Sequence, residues 1–215
     1  MASIVFDLDG TLIDSAPDLH DIANKILLQE GSQPITLTQT RQFVGNGASV
    51  FIRKVRAARG LPDTDHKRIL AEFLALYEYA TELTIPYPGV IDALCNLKGA
   101  GHTLGICTNK PLTPCHAILR HLELDGLFNT VIGGDSLIVR KPDAAPLIAA
   151  FDALPPKLKV YVGDSEVDAS TAQNAEIPFL LYTEGYRKTA IDQIAHAGSF
   201  SDYMQLEELI ALHAR

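Results

Sequence analysis

The segment SIVF, Ser3–Phe6, is a short apolar run that ends directly on Asp7-Leu8-Asp9-Gly10. A run that is apolar without alternation reads as a strand covered on both faces, as in a parallel sheet. Such a strand needs partners, and none follows it. SAPDLHDIANKILLQEG carries Ser15 as a helix N-cap, an apolar stripe at Leu19, Ile22, Ala23, Ile26 and Leu27, and Gly31 as a stop. ASVFIRKVRAARG and TDHKRILAEFLALYEYATEL also read as helices, so the chain is expected to be all-helical from Ser15 to about Ile85. After TIPYPGV, strand and helix alternate: HTLGICT, NTVIGG, KVYVGD and PFLLYT are strand-like, and VIDALCNLKGAG, PCHAILRHLEL and DAAPLIAAFDAL are helical. The first strand must pair with these later ones. The expectation is an α/β fold, a doubly wound parallel sheet with a Rossmann-like core (residues 1–14 and 86–215), carrying an inserted all-helical cap (residues 15–85).

Composition narrows the function. The 215 residues are 47% hydrophobic and carry a net charge of −8, which supports real cores and argues against nucleic acid and anionic membranes as partners. An anionic substrate must then meet local positive charge. The three cysteines form no Cys-x-x-Cys and no even framework, which fits a cytoplasmic protein. No secretory leader and no bilayer-length apolar run are read.

Ligands of open α/β sheets bind beyond the carboxyl ends of the strands. There this sequence places Asp7 and Asp9, then Thr108, Asn109 and Lys110, then Arg140 and Lys141, then Asp164 with Asp168 four residues on. Two carboxylates ~4 Å apart repel by about 4 kcal/mol at an effective dielectric of ~20. A divalent cation would offset that, and Mg²⁺ takes one or two carboxylates together with phosphate oxygens. A carboxylate can attack phosphorus, a threonine and a helix N-terminus can hold phosphate oxygens, and a lysine can neutralise them. The set reads as a phosphoryl-transfer site. Each piece has a plainer reading: a turn at Asp7–Gly10, a helix cap at Thr108 or Asp164, a solvated charge at Lys141. Asp168 stays open between metal ligand, supporting partner and surface acid. A calcium loop fails on register, because its glycine belongs at position six.

DLDGTLIDS, ICTNK, RKP and GDSEVDASTAQNA, in that order, resemble the four signatures of the haloacid-dehalogenase-like phosphohydrolases. The cap stretch FVGNGASV and the core stretch VIGGDSLIVRKPDAAPL further resemble bacterial members acting on 2-phosphoglycolate. The resemblance implies a phosphatase of a small phosphorylated metabolite, working through an aspartyl phosphate with Mg²⁺; a monomer or a homodimer is expected. It implies Asp7 as nucleophile, Asp9 as acid and then base, Thr108 and the Asn109 backbone as phosphate holders, and Lys141 as charge neutraliser. It also implies a metal site of Asp7, the Asp9 backbone carbonyl and Asp164, with Asp168 in support. The cap should decide the substrate, through the Gly45-Asn46-Gly47 turn or through Arg53, Lys54 or Arg56, although those three read more commonly as a solvated basic face. The turn reads equally well as the end of one helix and the start of the next. TEGYRK, after the last strand, is assigned no role.

A sugar-phosphate mutase keeps both acids and is the nearest enzymatic alternative. A receiver-type signalling module also gathers acids, a threonine and a lysine, but it lacks a cap and an acid placed to hasten hydrolysis. A dehalogenase or a phosphonate hydrolase would lack the acid at Asp9.

Overall fold

A computed structural model describes residues 1–213. In chain order its elements are β1 (Ala2–Phe6), β2 (Ile13–Asp14), α1 (Ala16–Gln29), α2 (Leu37–Phe43), α3 (Ala48–Arg59), α4 (His66–Tyr77), β3 (Ile85–Pro86), α5 (Val90–Gly99) and β4 (Thr103–Cys107). There follow α6 (Leu112–His121), β5 (Thr130–Ile132), α7 (Ala145–Asp152), β6 (Leu158–Gly163), α8 (Glu166–Asn174), β7 (Phe179–Tyr182), β8 (Gly198–Phe200) and α9 (Leu206–His213).

Six strands form one parallel sheet in the order β5-β4-β1-β6-β7-β8. The N-terminal strand sits inside it, hydrogen-bonded to β4 on one side and β6 on the other, with Phe6 opposite both Ile106 and Val162. This placement accounts for its unbroken apolar run. Side chains alternate across the sheet. Ile4 and Phe6 join a core with Leu104, Ile106, Val160 and Val162, while Val5 joins the opposite one with Cys107, Tyr161 and Leu181. The fold is thus a doubly wound Rossmann-like sheet bearing a helical cap. The chain turns outward in both directions from β1, so the carboxyl ends of β1, β4 and β6 lie side by side.

Helices α1, α3 and α4 share a separate core of Leu19, Ile22, Ile26, Phe51, Ile52, Val55, Ile69 and Phe73. Ring centroids of Phe51 and Phe73 lie 5.4 Å apart, and those of Phe73 and Tyr77 5.2 Å. The expected helix beyond Thr64 is shorter than its apolar pattern: α4 stops at Tyr77, and the chain then turns back toward α1. Buried Asp18 explains the stop. Its carboxylate accepts from Leu83 N at 3.2 Å and from Thr84 Oγ1 at 2.5 Å, bonds that a continuing helix would not allow. Four elements were not expected. β2 pairs antiparallel with β3, tying together the two connections to the cap helices, and β8 and α9 close the sheet's far edge.

Removing the Asp18 carboxylate leaves the buried Thr84 hydroxyl and the Leu83 N–H without an acceptor. Asp18→Ala should therefore cost about 1–3 kcal/mol, read as a lower urea midpoint. An unchanged midpoint would show that the clasp contributes nothing.

Candidate active site

Asp7, Thr108 and Asp164 are each the first residue past a strand, β1, β4 and β6 respectively, and all are buried. Backbone bonds extend the ladder to them: Asp7 N donates to Val162 O at 2.8 Å and Thr108 N to Ile132 O at 3.0 Å. Their positions follow from strand register, not from loop flexibility. Asp168 enters from the first turn of α8, where it shares a reciprocal cap with Ser165. Ser165, not Asp164, caps that helix. The Asp164 carboxylate is thereby free to accept from Thr11 Oγ1 at 2.8 Å and from Tyr186 N at 2.6 Å. Side-chain oxygens of Asp7, Asp164 and Asp168 come within 4.8 Å of one another.

Lys141 lies beneath this triad. Its Nζ is 2.8 Å from Asp7 Oδ1, and donates to Asp168 Oδ1 at 2.7 Å and to Tyr161 OH at 2.9 Å. Tyr161 OH in turn donates to Asp168 Oδ1 at 2.7 Å. The Lys141 ammonium is thus shared among three partners, and it is the close charged neighbour of the buried Asp7 Oδ1.

Burial pushes the Asp7 carboxyl up to about 7, the charge of Asp168 adds to the rise, and Lys141 opposes it. Asp164 is carried well above the usual carboxylate range by burial and by the charges of Asp168 and Asp7. At Asp168 burial works in the same direction. There Lys141, with hydrogen bonds from Ser165 and Tyr161, outweighs it and holds the carboxyl below its ordinary value. Two crowded, buried carboxylates with raised pKa values form a donor set that suits a hard divalent cation.

The backbone is shaped around this cluster. Gly10 has φ +92°, and a Cβ there would fall 2.6 Å from Asp164 Oδ2. At Gly185 a Cβ would overlap Gly10 O and the Asp164 side chain. TEGYRK therefore has a place after all. Gly185 lets the chain pass, Tyr186 N binds Asp164, Tyr186 OH donates to Asp14 Oδ1 at 2.5 Å, and Lys188 Nζ donates to Val44 O at 2.8 Å.

A cavity of about 40 Å³ opens beside the triad. Asp7, Asp9, Thr108, Asn109 and Lys110 line one side, and Gly45, Gly47, Phe51, Phe73 and Tyr77 the other. Of the expected cap turn, Gly45 and Gly47 face the cavity, while Asn46 is outside its lining. Gly47 is also the N-cap of α3, so both readings of the turn apply. Arg53 and Lys54 are outside the lining as well. Arg56 is buried in the cap, donating to Leu61 O, Pro62 O and Asp63, so it holds the end of its own helix and does not face a substrate. The Asn109 side chain bridges, giving Nδ2 to Gly45 O at 3.0 Å and to Lys141 O at 3.1 Å.

Asp9 Oδ1 accepts from Ser15 Oγ at 2.6 Å and from Lys110 Nζ at 3.1 Å. Ser15 precedes α1 as expected, but its hydroxyl is turned to Asp9 and makes no cap bond. Lys110 Nζ also donates to Tyr77 OH at 2.5 Å. Burial opposes the charge on Lys110, yet Asp9 and Tyr77 outweigh it and hold the ammonium's pKa above the lysine range. Lys110 was legible beside Thr108 and Asn109, and Tyr161 as a hydroxyl inside an apolar strand. Tyr77 and Tyr186 gave no local signal.

Residues 4–182 match the family model of the haloacid dehalogenase-like hydrolases, and the chain belongs to that family. It is 46% identical over 213 residues to the phosphoglycolate phosphatase of Cereibacter sphaeroides, covering 98% of each chain. It is 43% identical to that of Rhodobacter capsulatus, covering 97% of this chain and 96% of the relative. A crystal structure described as a predicted phosphoglycolate phosphatase from Haemophilus somnus aligns with a TM-score of 0.88 at 30% identity, covering 96% of both chains. Among the described residues no helix is long and apolar enough to cross a membrane.

The raised Asp7 pKa has a consequence for stability without metal. The folded value of about 7 exceeds the ordinary carboxylate value of 3.8, so folding favours the protonated form. That stabilisation is present below about pH 4 and is lost as pH rises through about 7. Asp7→Asn, which is neutral throughout, should be more stable than the parent chain at pH 8 by on the order of a few kcal/mol. The two should converge near pH 4. Urea midpoints in the presence of a chelator measure the difference, and a pH-independent gap would refute the assignment.

Proposed function

We propose that this protein is a divalent-metal-dependent phosphatase of a small phosphorylated acid, with 2-phosphoglycolate as substrate. In this reading residues 15–85 cap a core of residues 1–14 and 86–215, and the protein works in the cytoplasm. The observation that carries the reading is the buried Asp7 carboxylate, paired with Lys141 and within reach of Asp164 and Asp168. A nucleophile held this way is desolvated and aimed, and the ammonium beside it keeps its charge compensated. The names of the relatives supply the substrate.

In the proposed reaction Asp7 attacks phosphorus and forms a mixed carboxylic–phosphoric anhydride. Asp9 gives its proton to the departing ester oxygen, then takes one from the water that cleaves the anhydride. Thr108 and the Asn109 backbone hold phosphoryl oxygens, and Lys141 offsets their charge. The Asp7 side chain, the Asp9 carbonyl and Asp164 would hold Mg²⁺, which supplies the positive charge that lets carboxylates and a phosphate dianion share one site. Asp168 has both oxygens committed to Lys141, Tyr161 and Ser165, which supports an outer role: it orients Lys141. Gly45 and Gly47 border the leaving group. The β2–β3 ribbon serves as the hinge, and closure of the cap excludes water.

Steady-state assays of small phosphate esters test the proposal. Turnover should require added Mg²⁺ and vanish on chelation. Asp7→Asn should lower kcat by at least ~10³-fold, the scale of losing a nucleophile, with the fold intact by circular dichroism. Full activity in that variant, or isomerisation of β-glucose 1-phosphate with a bisphosphate primer and no net phosphate release, would sink it.

A further inference from the structure

The cavity is short of positive charge. Its cap wall is apolar, formed by residues such as Leu19, Val44, Phe51 and Phe73, and its floor carries Asp7 and Asp9. Among the described residues, Lys110 is the one cationic side chain in the lining. Lys141 lies beneath, already committed to Asp7, Asp168 and Tyr161. Arg140 is exposed and packs against Gly47 outside the lining. Any second anionic group on a bound phosphoester therefore has Lys110 as its available counter-charge in the cavity.

Lys110 is equipped for that. Its side chain is 2% exposed, and an ammonium has three N–H donors. One is given to Asp9 Oδ1 and one to Tyr77 OH. The third has no hydrogen-bond partner among the described residues. The ammonium also lies 4.3 Å from the Tyr77 ring centroid. A buried charged donor that lines a cavity and has hydrogen-bonding capacity to spare suits recognition, because an incoming carboxylate completes its shell.

Its position also selects where that carboxylate must be. Lys110 Nζ is 3.1 Å from the Asp9 oxygen. In the reaction proposed above, Asp9 stands at the ester oxygen. In a phosphorylated 2-hydroxy acid, one carbon separates that oxygen from the carboxylate. The ester oxygen at Asp9 and the carboxylate at Lys110 thus match one short ligand. We propose that Lys110 is the substrate-selecting residue, binding the carboxylate of a phosphoester that carries it on the carbon next to the ester oxygen. This inference rests on the phosphatase reading and gives it a specificity determinant.

The test compares kcat/KM for 2-phosphoglycolate with that for ethyl phosphate, which has the same ester oxygen and no carboxylate. The parent chain should prefer the carboxylated ester. Lys110→Met should reduce that preference ten- to hundred-fold, the scale of one charge-assisted hydrogen bond, chiefly through KM for 2-phosphoglycolate. Tyr77→Phe removes the phenol and keeps the ammonium, so the preference should persist. Equal losses on both esters in Lys110→Met would mean that Lys110 acts only by holding Asp9. That outcome overturns this inference and leaves the phosphatase reading standing. Hydrolysis of neither ester by the parent chain would instead overturn the phosphatase reading. Should Lys110→Met not fold, Lys110→Arg keeps the buried charge with a longer reach. It should shift the ratio between esters bearing the carboxylate one and two carbons from the ester oxygen by several-fold, and an unchanged ratio overturns the proposal.

Discussion

Three carboxylates packed within 4.8 Å of one another are a liability that the rest of the molecule is arranged to hold. Left to themselves they would separate or take up protons. The parallel sheet prevents separation: Asp7 and Asp164 are locked by adjacent strands β1 and β6, and Asp168 by the first turn of the helix that follows. One buried lysine, braced by the Tyr161 hydroxyl, balances part of the charge. Its compensation is uneven. It goes mostly to Asp168, while Asp7 and Asp164 stay poised above their ordinary range. That imbalance makes the cluster receptive to a cation and an anion together.

The surroundings follow from this constraint. Asp164 can approach Asp7 only because Gly10 and Gly185 offer no side chains where their backbones cross it. The segment containing Gly185 then runs on through Tyr186, whose ring joins the core of the helical layer and whose hydroxyl meets Asp14. A core segment thereby becomes part of the floor beneath the helices. Lys188 to Val44, Asn109 to Gly45 and Lys110 to Tyr77 add three more ties across the cavity. Each leaves from a residue adjacent to, or a few positions from, a residue at the cluster, so the geometry of the acids and the seating of the helices are mechanically linked.

Much of this was legible in one dimension. The unbroken apolar run at Ser3–Phe6, without a neighbour to pair with, required a parallel sheet assembled from distant strands and a helical segment between them. Strand ends marked Asp7, Thr108 and Asp164 because the residue after a buried strand is where a polar side chain first becomes affordable. The failures have local causes. α4 was read too long because its apolar pattern continues past Tyr77, and the bond from Asp18 that ends it comes from another helix. Arg56 was read only as one of three basic residues that could meet a substrate or form a solvated face, because charge on an amphipathic helix usually faces out. Here the helix end folds back and three acceptors bury it. TEGYRK looked empty because its partners, Asp164, Asp14 and Val44, lie far away in sequence.

The order of apolar and polar residues, taken alone, determined the fold class, the inserted helices and the identity of the acids, the threonine and the lysine that gather at the strand ends. Those are consequences of periodicity and of where strands stop, which are local properties. Only the tertiary structure decided how the lysine divides its charge among the acids, and that Lys110 rather than Arg53, Lys54 or Arg56 lines the cavity. Charge compensation and burial depend on distances between segments that the chain brings together from some twenty to more than a hundred residues apart, and no local pattern encodes them.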